Sequence, residues 1–213
     1  MHSAHAFLDP LAAFFGRLLH RREPRDAGES RILQERLRIV ARSQAAERAA
    51  QLLCAPTALV QLSHDEALAV VAYMRPHRIA EGTRFIREGD PDNTGFLLLV
   101  LDGEVAVESA IANRDAPITT AVMGPGSILG EISLIDGSPR SASCTALSQL
   151  RGALLTREAF TELLDADPRT AAKLVIAIAH RIAQRMRESQ DKLKLYTQLT
   201  QAMNEEINDL MPL

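Results

Sequence analysis

Apolar positions along this chain change their period twice. Residues 5–22 place Phe7, Leu11, Phe14, Phe15, Leu18 and Leu19 at helical spacing, with Arg17, His20, Arg21 and Arg22 making the far end basic. Glu23 to Glu29 is polar and carries Pro24 and Gly28, which predicts a linker. Ser30 then caps a helix running to about Leu53, with Leu33, Leu37 and Val40 on its apolar side, and Pro56 ends it. Ser63 caps a shorter helix, Asp65 to Met74, that Pro76 stops. From His77 the pattern shortens to strands at 77–80, 84–88, 95–101, 104–110, 117–123, 142–148 and 151–155. Turn signals separate them, among them Glu81-Gly82, Asp102-Gly103 and Gly124-Pro125-Gly126. Many short strands at this spacing predict a sandwich or barrel of jelly-roll type. Leu97 to Leu101 is continuously apolar, as expected of a strand buried on both faces. Helical spacing returns after Thr156, which caps Arg157 to Leu164. Asp167 followed by Pro168 opens a last helix running to about Asp209.

The last helix carries a second pattern. Steps of three and four pick out Ala172, Val175, Ala179, Ile182, Met186, Ser189, Leu193, Tyr196, Thr200, Met203, Ile207 and Leu210. The alternation never breaks, which keeps one stripe facing a partner helix. Leu174, Ile178 and Arg181 form a second face suited to packing on the chain's own domain over the first turns. Beyond about Arg187 a homodimer through residues 172–210 is the expectation. Flanking Arg185, Gln190, Lys192, Thr197 and Leu199 form no clear opposite-charge pairs, so strand direction stays open.

Composition narrows the function classes. The 213 residues are 46% hydrophobic and 24% charged, a globular balance. A net charge of −3 argues against a broad nucleic-acid surface, since phosphate-backbone affinity needs excess Lys and Arg. Two cysteines, Cys54 and Cys144, make no disulfide framework and read as buried apolar thiols in a reducing compartment. No apolar run reaches the length of a membrane span and no signal peptide opens the chain, which places it in the cytoplasm. The basic amphipathic stretch 5–22 suits two placements: packing against the rest of the protein, which is favoured, or lying on a membrane surface. The six histidines show no metal spacing, and no nucleophile–base pair or Walker loop occurs, so neither an enzyme nor a metal or other cofactor is expected.

The specific chemistry lies in Gly130 to Ala142. Glu131 and Arg140 stand nine residues apart, with a helix-starting turn and a Gly137-Ser138-Pro139 turn between them. Gly126 to Gly130 is glycine-rich and lets backbone approach a ligand closely. Ile132 to Ile135 is suited to one helical turn, whose first N–H groups favour an anion. The Arg140 guanidinium can take two phosphate oxygens at once, Ser141 adds a hydroxyl, and the Ala142 N–H is a further donor. An ionised Glu131 repels phosphate but accepts from a sugar hydroxyl. A ligand with one phosphate charge beside a ribose hydroxyl satisfies both. Taken alone, the same two residues also suit a structural ion pair bracing a turn.

The full string, Gly-Glu-(apolar)-Ser-Leu, a Gly-Ser-Pro turn and then Arg-Ser-Ala, resembles the phosphate-binding cassette of the cyclic-nucleotide-binding domain family, which includes catabolite activator proteins and kinase regulatory subunits. The resemblance covers about residues 57–187. It includes Leu62-Ser63, the Gly82 turn, Phe85-Ile86-Arg87-Glu88-Gly89-Asp90 and Leu101-Asp102-Gly103-Glu104-Val105. It implies an α+β fold: an eight-stranded β-roll (57–167) between an N-terminal helical extension (1–56) and a long C-terminal dimerisation helix (168–213). It assigns Glu131 to the ribose 2′-hydroxyl. Arg140 and Ser141 take the cyclic phosphate, with backbone help from Ile132, Ser133 and Ala142, and Gly130 permits the turn.

The chain departs from the family at Arg185 and Met186, where catabolite activators carry a Thr-Ser pair that reads adenine. Arg181 and Arg185 therefore join the ligand-binding candidates. In the kinase branch alanine after the cassette arginine goes with cAMP and threonine with cGMP. The serine found here, at position 141, also occurs in the cAMP-binding bacterial branch, so cAMP is favoured over cGMP. The heptads run to Leu210 in a chain of 213 residues, leaving no room for the family's helix-turn-helix, so DNA is not an expected partner. The expectation is a cytoplasmic, dimeric cyclic-nucleotide sensor that signals to a protein partner. The alternatives are a Crp/Fnr-like regulator without a recognisable DNA-binding domain and a cyclic-dinucleotide effector.

Overall fold

The computed structural model describes residues 27–54, 60–110 and 117–210. The amphipathic stretch 5–22 and Pro56 lie outside them. The helix expected from Ser30 to Leu53 is two helices, α1 (Ala27–Val40) and α2 (Gln44–Leu53). The division is local chemistry. Ser43 turns its hydroxyl to the Ala46 N–H at 3.3 Å and starts a new helix, while Ala41 and Arg42 close a turn behind it. Ala27 to Glu29, read as linker, belongs to α1.

Ser63 opens α3 (His64–Val71) with a reciprocal box: its hydroxyl accepts from the Glu66 N–H, and the Glu66 carboxylate accepts from the Ser63 N–H at 2.7 Å. Pro76, expected to stop this helix, lies inside β1 (Arg75–Ile79). It is tolerated because β1 pairs only with β8, and an edge strand spares the missing N–H.

The strands are β1, β2 (Arg84–Ile86), β3 (Phe96–Asp102), β4 (Val105–Ser109), β5 (Ile118–Met123), β6 (Ile128–Leu129), β7 (Ser143–Ala146) and β8 (Leu150–Thr156). They form two antiparallel four-stranded sheets in the orders β1-β8-β3-β6 and β2-β7-β4-β5. This is the eight-stranded roll. The strand the periodicity missed is β6, whose two residues pair with Leu98 and Leu99.

Strand β3 shows why its run is apolar throughout. Leu97 and Leu99 face the helices, with Ala50 and Leu53 of α2, Val70 of α3, and Leu174 and Ile178 of the last helix. Leu98 and Val100, with Leu150 of the neighbouring β8, face Ile86, Val105 and Cys144 of the other sheet. All four are 1% exposed or less, and each contributes about 1.5–3 kcal/mol by burial.

Three more helices lie among the described residues: α4 (Glu131–Asp136), α5 (Arg157–Ala166) and α6 (Pro168–Leu210). Thr156 caps α5, accepting from the Ala159 N–H at 3.3 Å. The Asp167 carboxylate accepts from both the N–H and hydroxyl of Thr170 at the start of α6. Ala171, Leu174, Ala177 and Ile178 bury one side of the first turns of α6, whereas every side chain described from Met186 to Glu206 is exposed.

Candidate functional site

Strand β6 hands the chain directly to α4 through Gly130, whose φ of 77° is left-handed. A side chain there is excluded: a Cβ would lie 2.4 Å from Nη1 of Arg140 and 3.0 Å from the Phe96 carbonyl. Glu131 opens α4 and is buried together with Ser133 and Leu134. The far end turns sharply. Gly137 caps α4 with a φ of 71°, and Ser138 donates to Asp136 through its N–H at 2.9 Å and its hydroxyl at 2.7 Å. Pro139 then delivers Arg140, whose backbone pairs with the 87–93 loop: its N–H donates to Asp90 and its carbonyl accepts from Gly89.

The Arg140 guanidinium is 3% exposed and heavily engaged. Nε donates to the Asn93 carbonyl at 2.7 Å, Nη1 to Gly130 at 2.7 Å and Phe96 at 3.1 Å, and Nη2 to Phe96 at 3.1 Å. It also stacks over the Phe96 ring, 4.4 Å from the centroid. Burial pushes its pKa below the usual range, opposed by the nearby Asp90 and Glu131 carboxylates. Of five guanidinium N–H groups, one Nη2 hydrogen is left without a carbonyl. A two-oxygen grip on a phosphate, expected from the sequence, therefore requires one carbonyl contact to be released.

Glu131 is 2% exposed and forms an ion pair with Nη2 of Arg185 from α6. The same nitrogen donates to the Ile128 carbonyl at 3.3 Å. A cavity of about 50 Å³ lies among these groups. Eight of the nine residues singled out in the sequence line it: Gly130, Glu131, Ile132, Ser133, Arg140, Ser141, Ala142 and Arg185. Arg181 does not. Its Nη2 donates to the Leu52 carbonyl at 2.7 Å, and burial with the neighbouring Arg185 charge pushes its pKa down.

The remaining wall is Ile86, Val107, Leu129 and Cys144, contributed by four different strands. Their inward alternation was the only signal that could have found them. Burial, with the Glu131 charge adding to it, pushes the Cys144 thiol up to about 12, so it is an apolar wall group and not a nucleophile. A larger cavity of about 500 Å³ sits on the helix side of the first sheet, bounded by Ile39, Val40, Ala46, Leu101, Ala153 and Glu162. It contains none of the cassette residues, and converging polar groups identify a site better than volume does. Among the described residues no cluster of His, Cys, Asp and Glu could hold a metal ion, and no helix is long and apolar enough to cross a membrane.

Comparison with known proteins places this fold in a family. The profile of the cyclic nucleotide-binding domain family fits residues 76–167. A solved cyclic nucleotide-binding domain from Methylobacillus flagellatus is 34% identical and superposes with a TM-score of 0.65, over 70% of this chain and 83% of that one. The catabolite activator protein of Thermus thermophilus is 28% identical with a TM-score of 0.55, over 64% and 61% of the two chains. The acetyltransferase Pat of Mycolicibacterium smegmatis is 34% identical over 111 residues, 52% of this chain and 30% of Pat. The chain spans about half or less of the length of the curated relatives it matches. With the profile lying across the roll and the M. flagellatus domain matched over most of its length, the chain belongs to the cyclic nucleotide-binding domain family.

Proposed function

We propose that this chain is a regulatory module that binds a cyclic nucleotide, cAMP in preference to cGMP, and signals through α6 to a protein partner. One observation carries the reading. Glu131 and Arg140, a carboxylate and a guanidinium on residues that are both almost fully buried, face one cavity together with Ser141 and Ala142. With Arg185 the group holds two positive charges and one negative, an excess of one that a cyclic phosphate monoanion balances. Glu131 takes the ribose hydroxyl, Arg140 and Ser141 the phosphate, and the backbone at Gly130, Ile132, Ser133 and Ala142 completes the cradle. The apolar wall of Ile86, Val107 and Leu129 excludes water from these polar contacts, which strengthens them. No activity is carried over from Pat, of which the likeness covers 30%.

A second copy of the chain is part of this proposal. Met186, Leu193, Tyr196 and Met203 are 60–65% exposed at the expected heptad positions of α6. Such a stripe is the seam of a homodimer through residues 172–210. A cyclic dinucleotide is less favoured, because Arg181, the second cation offered for a larger ligand, is turned to Leu52.

Titration calorimetry of the full chain with cAMP, cGMP and cyclic dinucleotides tests the assignment. Binding of cAMP is expected, and Arg140→Lys, which keeps the charge but cannot fork, is expected to weaken it by about 2 kcal/mol or more. Unchanged affinity in that variant, with the fold intact by circular dichroism, removes Arg140 from the phosphate site.

A further inference from the structure

We propose that the groove between α1, α2 and the first sheet is the docking site of the chain's own segment 5–22, the amphipathic stretch that lies outside the described residues. The groove is the cavity of about 500 Å³ on the helix side of that sheet, apart from the cassette. The inference is independent of what the cassette binds.

The walls say what kind of occupant fits. Alanines from four elements face the groove: Ala46 and Ala49 of α2, Ala72 at the end of α3, Ala153 of β8 and Ala159 of α5. Side chains this short enclose space instead of filling it, whereas protein interiors are close-packed. Ile39 of α1 also lines the groove and is 63% exposed, an apolar side chain with its own face uncovered. Polar anchors are missing from the walls. Arg75, Glu158 and Glu162 are exposed, and Arg36 is engaged with Glu162 at 3.3 Å. Among the described residues, none of the buried polar ones lines the groove. A small ligand needs a few placed polar groups to orient it. An amphipathic helix laid in a groove needs only a matching apolar face.

Chain connectivity selects the occupant. Phe7, Leu11, Phe14, Phe15, Leu18 and Leu19 recur at helical spacing in 5–22, and three of the chain's six phenylalanines are among them. Large rings against an alanine-lined wall give the match of size that close packing requires. Four residues, 23–26, separate this segment from the start of α1 at Ala27. A loop of that length joins two antiparallel helices. In such a hairpin the rise of about 1.5 Å per residue decides which side chains come level. Counted from the loop, Arg36 and Ile39 lie about 14 and 18 Å along α1, and Phe14 and Leu11 about 12 and 17 Å along a helical 5–22. Phe14 and Leu11 therefore come abreast of the groove. Arg17, His20, Arg21 and Arg22 fall nearer the loop, short of the groove, and keep their charges in water. While docked, the segment has its apolar face covered, so the groove competes with a membrane surface for it.

The test uses the full chain, which contains no tryptophan. Phe14→Trp therefore supplies a single reporter of the segment. Its emission is expected at the short wavelength of a buried ring, with amides 7–19 protected from hydrogen exchange. Ile39→Glu places a charge in the groove wall at an exposed position, which the folded roll tolerates. Combined with Phe14→Trp, it is expected to move the emission to longer wavelength and to speed exchange of amides 7–19 by about tenfold. Leu193→Asp in the same background is expected to change neither, because segment and groove belong to one chain. If Ile39→Glu does not fold, Ala45→Glu, also exposed in the wall, takes its place. An exposed emission in dilute buffer overturns the proposal, and emission that shifts to short wavelength only with phosphatidylglycerol vesicles gives the segment to a membrane instead. Buried emission that neither groove variant alters overturns the groove as its site. Burial lost in Leu193→Asp gives the segment to a second copy and overturns docking within the chain. Nucleotide binding at the cassette enters none of these outcomes, so the two readings fail separately.

Discussion

Replacing Gly130 by alanine tests whether the Arg140 guanidinium braces the site as described. Two costs add at this position. The left-handed φ of 77° costs about 1–2 kcal/mol for any residue with a Cβ. The new Cβ would also lie 2.4 Å from Nη1 of Arg140 and 3.0 Å from the Phe96 carbonyl, which belongs to a central strand and cannot yield easily. The guanidinium must therefore retreat and give up at least its 2.7 Å bond to the Gly130 carbonyl. A hydrogen bond to a charged group is worth about 1.5–3 kcal/mol. The expected loss is about 3–5 kcal/mol, a large share of a typical domain stability of about 5–15 kcal/mol. Gly89→Ala separates the two costs. Gly89 has nearly the same φ, 76°, with nothing within 4 Å of its Cβ position, so it is expected to lose only the backbone share of about 1–2 kcal/mol. Urea denaturation followed by circular dichroism reads both variants. If the two losses agree within about 0.5 kcal/mol, less than any bond to a charged group, the Arg140 contact is not holding the turn and the reasoning fails.

Stability should fall in acid in a way that names its carboxylates. Hydrogen bonding by Lys173 and the Ser63 N–H holds Glu66 below the usual carboxylate range, and Thr170 does the same for Asp167. Folded values below unfolded ones mean stability that is complete at neutral pH and lost as pH falls below about 4.5, a loss Glu66→Gln should flatten in a series of urea melts. Cys144, buried and with its thiol pushed up to about 12, should resist iodoacetamide at pH 8 until the protein is unfolded, as peptide mapping would reveal. Labelling of Cys144 in the folded protein at the rate of a free thiol would contradict its place in the wall. Leu193→Asp puts a charge on the α6 stripe and should convert a dimer to a monomer in sedimentation without changing the far-ultraviolet spectrum.

What could be read from the sequence was whatever is encoded within a few residues. Ser63, Thr156, and Asp167 with Pro168 each announce a helix start locally, and each stands where the structure has one. The cassette is equally local, so its residues could be named together from the sequence, and they line one cavity. The errors share a cause of the opposite kind. Strand β6 is two residues long and owes its existence to Leu98 and Leu99 across the sheet, not to a pattern of its own. Pro76 reads as a helix stop unless its strand is known to lie at a sheet edge. Ser43 looks like an ordinary helix residue until its hydroxyl takes the Ala46 N–H. At the site, Val107 and Ile86 stand far from the cassette in sequence and reach the cavity only through strand pairing. The spending of Arg140 on the carbonyls of Asn93, Phe96 and Gly130 is tertiary in the same way: each partner is an anonymous backbone oxygen, which no motif records.

Helix α6 has a mechanical consequence. Its 43 residues make a rod about 65 Å long, packed on the roll, among the described residues, at its root. The stretch from Arg185 to Glu206 is roughly 32 Å, so a tilt of about 10° about Arg185 carries the tip roughly 5–6 Å. A lever that multiplies distance divides force by the same ratio. The tip of α6 is therefore suited to moving a surface into or out of register, and poorly suited to prying a tight interface apart.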